Sequence, residues 1–121
     1  MLRVMIVDDQ GGMRQMMRKV LEADGLFDVV CEASNGKEAL ELAEAQPLDM
    51  ILMDVQMPEM DGFEAARQIL ANHPDIGIAI TSMDKDSRYA SLANDVGALG
   101  FVPKTALKGD VLMKMMALRT P

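Results

Sequence analysis

Short runs of apolar residues alternate along this chain with longer stretches in which apolar positions recur every three or four residues. The first run, Leu2 to Val7, reads as a buried strand and stops at the pair Asp8-Asp9. Met13, Met16, Met17, Val20 and Leu21 follow at helical spacing, and Gly25 supplies a stop. Phe27 to Cys31 predicts a second strand. Asn35 with Glu38 three residues on makes a capping-box pattern, opening a helix that runs to about Ala45. Met50 to Met53 predicts a third strand ending at Asp54. Asp61 and Glu64 repeat the capping-box spacing and open a helix to about Asn72, with Phe63, Ala66, Ile69 and Leu70 on its apolar side. Ile76 to Ile80 predicts a fourth strand ending at Thr81-Ser82, and Asp86 to Val96 a weaker helix closed by Gly97. Leu99 to Val102 predicts a fifth strand leading into Pro103-Lys104, and Leu107, Val111, Leu112 and Met115 mark a last helix.

Five strand–helix units within 121 residues leave no room for a linker or a repeat, so one domain over residues 1–121 is expected. The strands are unbroken apolar runs, the pattern of a parallel sheet covered by helices on both faces. Right-handed crossovers then give a three-layer, doubly wound α/β sandwich. Ligands in such folds collect beyond the carboxyl ends of the strands.

Composition narrows the function classes. Lys and Arg total 12 against 19 Asp and Glu, a formal net charge of −7, which argues against a nucleic-acid contact made by this segment itself. Half the residues are hydrophobic but only 3% are aromatic, so the core must draw on aliphatic side chains and on 13 Met. Met113, Met115 and Met116 are read as core gap-fillers, with a partner surface as the other reading. Cys31 has no partner for a disulfide, which fits a reduced, cytoplasmic setting, and is read as a small core residue. No apolar run is long enough to span a bilayer and no signal peptide opens the chain, so no membrane association is expected. His73, the single histidine, precedes Pro74 at a helix end and reads as a cap or a solvated residue.

The chemistry sits at the strand ends: Asp8 and Asp9 after the first strand, Asp54 after the third, Thr81 after the fourth and Lys104 after the fifth. The second strand contributes nothing comparable. Any one of these residues alone is ordinary loop or capping chemistry. Together they bring three carboxylates, a hydroxyl and an ammonium to one edge of a sheet. Three converging carboxylates call for a divalent cation or a retained proton, and hard oxygen donors without His or Cys select Mg²⁺ or Mn²⁺ over zinc. A carboxylate nucleophile beside such a metal, a lysine and a hydroxyl is suited to accepting a phosphoryl group.

The segments Val7-Asp8-Asp9, Met53 through Gly62, Thr81-Ser82 and Gly97 through Lys104 resemble the receiver domain of two-component response regulators, and the likeness extends over essentially the whole chain. The resemblance implies a flavodoxin-like (βα)5 fold with parallel sheet order 2-1-3-4-5. It implies Asp54 as phosphoacceptor and, together with Asp9 and the main-chain carbonyl of Gln56, as a Mg²⁺ ligand, with Asp8 acting through metal-bound water. Lys104 would pair with a phosphoryl oxygen. Thr81 and Phe101 would form the switch pair, the hydroxyl moving to the phosphoryl group and the ring taking the space it leaves. Phosphorylation adds roughly −1.5 to −2 charges, enough to bias such a two-state element. The implied donor is a sensor histidine kinase, and the implied output face comprises the fourth helix, fifth strand and fifth helix, used for partner binding or a homodimer. The stretch around Lys104-Thr105 is similar to receivers joined to helix-turn-helix domains of the NarL/FixJ type, which makes a role in transcription regulation an expectation. An aspartyl-phosphate phosphatase or phosphotransferase would share the strand-end chemistry. Such enzymes usually carry an Asp two residues after the nucleophile, where this chain has Gln56. A flavodoxin-like electron carrier would need a Ser/Thr-rich phosphate loop and flavin-stacking aromatics, and would leave the acidic pair unexplained. Gly11-Gly12, which follow that pair where a helix should start, would loosen its first turn, each glycine costing about 1 kcal/mol against alanine if helical.

Overall fold

The computed structural model describes residues 1–118; the last three residues of the expected 1–121 domain lie outside the described residues. Five strands form one parallel sheet: β1 (Leu2–Val7), β2 (Phe27–Ala33), β3 (Met50–Asp54), β4 (Gly77–Ser82) and β5 (Gly100–Pro103). Their order is β2-β1-β3-β4-β5, as the resemblance implies. Between and after them run α1 (Gly11–Glu22), α2 (Gly36–Ala45), α3 (Gly62–Asn72), α4 (Tyr89–Asp95) and α5 (Gly109–Leu118).

Strand alternation sorts the core into two layers. Met5, Val7, Ile51, Met53, Ile78 and Ile80 pack with Ala39, Ala43, Ala65, Ala66, Ile69 and Ala93 of α2, α3 and α4. Val4, Ile6, Met50, Leu52, Ala79 and Val102 pack on the other face with Met17 and Leu21 of α1 and Leu112 of α5. Small alanines on the first helical layer let those helices approach the sheet closely. The methionines of α5 fill gaps: Met116 Sδ lies 2.5 Å from where a Cβ of Gly77 would stand, and Met113, Met115 and Met116 all pack partly buried against the second layer. Cys31 is only partly buried, at the margin of the first layer. Among the described residues, no helix is long and apolar enough to cross a membrane.

Each predicted capping box forms its N-cap half, while the returning glutamates turn elsewhere, Glu38 to the Ser34 N–H (3.3 Å) and Glu64 to Arg67 and Gln68. The Asn35 side chain accepts from the Glu38 N–H (2.8 Å) and the Asp61 side chain from the Glu64 N–H (2.9 Å). Gly97 closes the fourth connection at φ +87°, a conformation that disfavours any side chain. Several boundaries differ from the sequence reading. β2 runs on to Ala33 because its edge pairs with β1 as far as Val7. α4 starts at Tyr89 rather than Asp86, since Asp86 instead closes a tight turn by accepting from the Arg88 N–H (2.9 Å) and binding its guanidinium. The last helix begins at Gly109; Leu107 lies in the connection, after a single 3-10 turn over Lys104–Ala106.

Two glycines make opposite predictions. A Cβ on Gly62 would sit 2.0 Å from the Asp54 carbonyl oxygen, a backbone atom that cannot step aside, whereas one on Gly12 would meet nothing within 4 Å. Gly62→Ala is expected to lose about 2–3 kcal/mol of stability, and Gly12→Ala to gain about 0.5–1 kcal/mol by favouring the first turn of α1. Urea unfolding midpoints at constant m-value measure both.

Candidate functional site

Register assembles the site. Val7 of β1 lies beside Met53 of β3, so Asp8 and Asp54 are neighbours just past the pairing. Asp54 pairs with Thr81, and Thr81 and Ser82 pair with Val102 and Pro103, which delivers Lys104 to the same edge. Side chains 96 residues apart in sequence thereby come within contact distance.

Lys104 is buried and its Nζ donates to Asp8 Oδ2 at 2.7 Å, with Asp54 Oδ1 at 3.3 Å. Asp8 is wholly buried, and its second oxygen accepts from the Gln10 N–H (2.9 Å). Both Asp8 oxygens are thus engaged. Asp9 stands exposed at the rim, and one oxygen from each of Asp8, Asp9 and Asp54 lies within 4.8 Å of the others. Asp9, Gln10, Asp54, Gln56, Met83 and Lys104 line a cavity of about 280 Å³ over this cluster. Larger depressions of about 470 and 380 Å³ lie at the opposite end of the sheet, around Pro47 and Pro74 and around Gly77 and Leu99.

Charge does not balance here. Burial, then the neighbouring Asp8 carboxylate, pushes the Asp54 carboxyl up to about 6, with Asp9 adding to the effect and Lys104 opposing it. Three carboxylates around one ammonium leave room for a divalent cation, and the all-oxygen donor set suits Mg²⁺ or Mn²⁺. Thr81 supplies a second sign of an incomplete site: it is fully buried, and its Oγ1 has no hydrogen-bond partner among the described residues. A buried orphan hydroxyl is costly and rare, and a ligand oxygen would satisfy it.

Phe101 stands apart from the charged cluster. It pairs with Ile80, one position out of register from Thr81, and its ring meets Tyr89 edge-on with centroids 5.3 Å apart. Tyr89 in turn contacts Phe63 at 5.7 Å, so the three rings join β5, α4 and α3. His73 does cap a helix, its N–H bonding the Ile69 carbonyl (2.8 Å), and its Nε2 lies 3.0 Å from Glu44 Oε1.

Two features escaped the sequence reading. The Gln56 side-chain amide donates to Asp84 Oδ2 (2.7 Å), bridging the loops after β3 and β4 beside the cavity. On β2, Glu32 binds Arg14 (3.0 Å) and Arg18 (2.7 Å) of α1, and those guanidinium groups hold its carboxyl below the usual carboxylate range. The signals were a glutamate at the end of a mostly apolar strand and two arginines four residues apart.

An elevated Asp54 carboxyl has a definite consequence for stability. The folded state retains a proton that the unfolded chain loses near pH 4, so stability falls as pH rises from about 4 to about 6 and stays low above. In the absence of divalent metal, Asp54→Asn is therefore expected to be more stable than the wild type at pH 7 by about 3 kcal/mol. The difference should shrink toward pH 4, as read from urea unfolding across that range.

The profile of the response regulator receiver domain family matches residues 4–117. A protein-glutamate methylesterase/protein-glutamine glutaminase of Vibrio cholerae is 39% identical over 104 residues, 85% of this chain and 28% of that protein. The transcriptional regulatory protein DegU of Brevibacillus brevis is 32% identical over 113 residues, 93% of this chain and 48% of its own length. This chain thus spans between about a quarter and a half of these curated relatives. The solved signal receiver domain of NarL from Mycobacterium tuberculosis superposes with a TM-score of 0.89 at 28% identity, covering 98% of each chain. With the profile running through all five strands and a receiver domain overlying nearly every residue, this chain belongs to the response regulator receiver domain family.

Proposed function

We propose that this receiver domain accepts a phosphoryl group on Asp54 from the phosphohistidine of a sensor histidine kinase, and that the resulting acyl phosphate alters the face formed by α4, β5 and α5. The observation that carries this reading is Asp54 itself, buried at the end of the central strand, 3.3 Å from a buried ammonium and open to the cavity.

At neutral pH, Asp54 is mostly ionised and its carboxylate oxygen is the nucleophile. An O–P bond forms as the N–P bond of the donor breaks in line with it, and the departing imidazole nitrogen takes up a proton from solvent. Lys104, already held by Asp8, is within reach of a phosphoryl oxygen and offsets its charge. Asp9, Asp54 and the Gln56 carbonyl would hold Mg²⁺ or Mn²⁺, with Asp8 reaching it through water; the ion supplies positive charge against both the carboxylate and the transferring group. The Thr81 hydroxyl, which lacks a partner in the resting state, donates to a phosphoryl oxygen. Its movement opens space toward β5, and the Phe101 ring follows, leaving its edge contact with Tyr89.

The altered face then serves a partner or a second copy of this chain, and in a regulator of the DegU kind the output would be transcription. Such kinase-coupled signalling places the domain in the cytoplasm. A phosphatase of similar strand-end chemistry is disfavoured because Gln56 occupies the position of its acid and is committed to Asp84.

Incubation with Mg²⁺ and a small acyl phosphate donor should add one phosphate to the wild type, read by intact mass, and none to Asp54→Asn. Equal labelling of the two would overturn the assignment. Thr81→Ala should still be phosphorylated, and the relief of an unpartnered hydroxyl should offset part of the cost of the buried methyl group it also removes. It should, however, lose the phosphorylation-dependent change in amide exchange expected across residues 86–103.

A further inference from the structure

We propose that Arg14 is a positioning residue for the metal-binding acidic pair, holding the Asp8–Asp9 peptide in place from the neighbouring helix. This rests on the metal reading given under Proposed function. Arg14 Nη1 donates to the Asp8 carbonyl oxygen at 2.6 Å, while its Nε donates to Glu32 Oε1 at 3.0 Å. One guanidinium thereby ties the end of β1 to β2. Glu32 is itself fixed from the other side by Arg18, whose Nε and Nη2 reach Oε2 at 3.0 and 2.7 Å. Arg18 also donates to the Val29 carbonyl (3.1 Å). The anchor for Arg14 is therefore a strand residue locked by a second arginine.

The Asp8 carbonyl belongs to the same rigid peptide plane as the Asp9 N–H. Fixing that oxygen fixes where the Asp9 Cα and carboxylate start. Asp9 needs such help. It is exposed, and it precedes a helix whose N-cap, Gln10, makes no side-chain capping bond. That helix opens on Gly11 and Gly12, the most flexible start a helix can have. Asp8 is held through its side chain by Lys104 and the Gln10 N–H. Arg14 supplies the main-chain restraint on the residue that follows. Arg14 itself touches no carboxylate of the acidic cluster, so its action on a metal is indirect. Groups that orient ligands in this way typically govern about 10–100-fold in metal affinity.

The sign of the effect separates positioning from charge. Removing a cation close to three carboxylates should by Coulomb's law tighten divalent-ion binding. Loss of a positional restraint should weaken it. Mn²⁺ affinity, measured by electron paramagnetic resonance of the free ion at neutral pH and fixed ionic strength, reads this directly, with thermal unfolding run on every variant. Arg14→Gln is expected to bind Mn²⁺ about tenfold more weakly than wild type. Arg18→Gln, which loses two ion pairs where Arg14→Gln loses one but leaves both contacts of Arg14 in place, should weaken binding far less than Arg14→Gln. Glu32→Gln should weaken binding in the same direction, and Arg14→Gln/Glu32→Gln should be no weaker than Arg14→Gln, because the two residues act in one chain. Should Arg14→Gln fail to fold, Arg14→Lys carries the same test, since an ammonium keeps the charge and cannot hold both partners in a planar fork. Binding by Arg14→Gln or Arg14→Lys that equals or exceeds a wild type that takes up Mn²⁺ overturns this proposal alone. A wild type that takes up no Mn²⁺ overturns the metal reading and this inference with it.

Discussion

The buried ammonium of Lys104 between Asp8 and Asp54 is the interaction on which the rest of the site depends. Removing a lysine and two carboxylates from water costs several kcal/mol per ion, and close, well-bonded geometry is needed to offset it. Asp8 has that geometry, with each oxygen engaged by a donor. Asp54 shares the same ammonium at a longer 3.3 Å and carries the imbalance as a carboxyl shifted up to about 6. The cluster is therefore short of positive charge in a place where the fold will not let it expand. That is the physical basis for reading it as a receptor for a cation and a phosphoryl group rather than as a stabilising salt bridge.

The rigid half of the molecule holds this imbalance in place. Both faces of the central strands are filled by fully buried side chains, so the carboxyl ends of β1, β3 and β4 cannot move apart without opening the core. α3 presses on the end of β3 through Gly62, whose N–H bonds the Val55 carbonyl (2.9 Å) and whose missing side chain permits the approach to Asp54. Arg3 stitches the opposite end of the sheet, binding Asp49 through its N–H (2.7 Å) and the Pro47 carbonyl through its guanidinium (2.8 Å).

The other half is held by fewer buried contacts. α4 has seven residues, no side-chain cap at its N-terminus and, among the described residues, only Ala93 buried, whereas Asn35 and Asp61 cap α2 and α3, which carry several buried positions. Leu92 remains substantially exposed on it. Elements with so little buried area open at low free energy. The contacts that join α4 to the rest run through the rings of Tyr89, Phe63 and Phe101, and Phe101 lies one register step from the unpartnered Thr81 hydroxyl. Through Phe101 and Tyr89, the strand beside Thr81 is thus joined to the shortest α-helix among the described residues.

Strand and helix order, the doubly wound class and the edge on which the chemistry collects were legible in the chain, because period, capping boxes and strand-end residues are local signals. Asn35 and Asp61 cap the helices they announce, and Asp8, Asp54, Thr81 and Lys104 stand where strand ends predicted. Boundaries were less legible where a competing local bond decided them, as Asp86 does by closing a turn ahead of α4. Two further properties came only with the tertiary structure. One is the electrostatic state of the site, since burial and the separations among Asp8, Asp54 and Lys104 depend on strands distant in sequence meeting in register. The other is the set of long-range partners: Glu32 with Arg14 and Arg18, Arg14 with the Asp8 carbonyl, and Gln56 with Asp84. Sequence determines which groups a strand end carries; only packing determines how far each is taken from water and which charge it must face there.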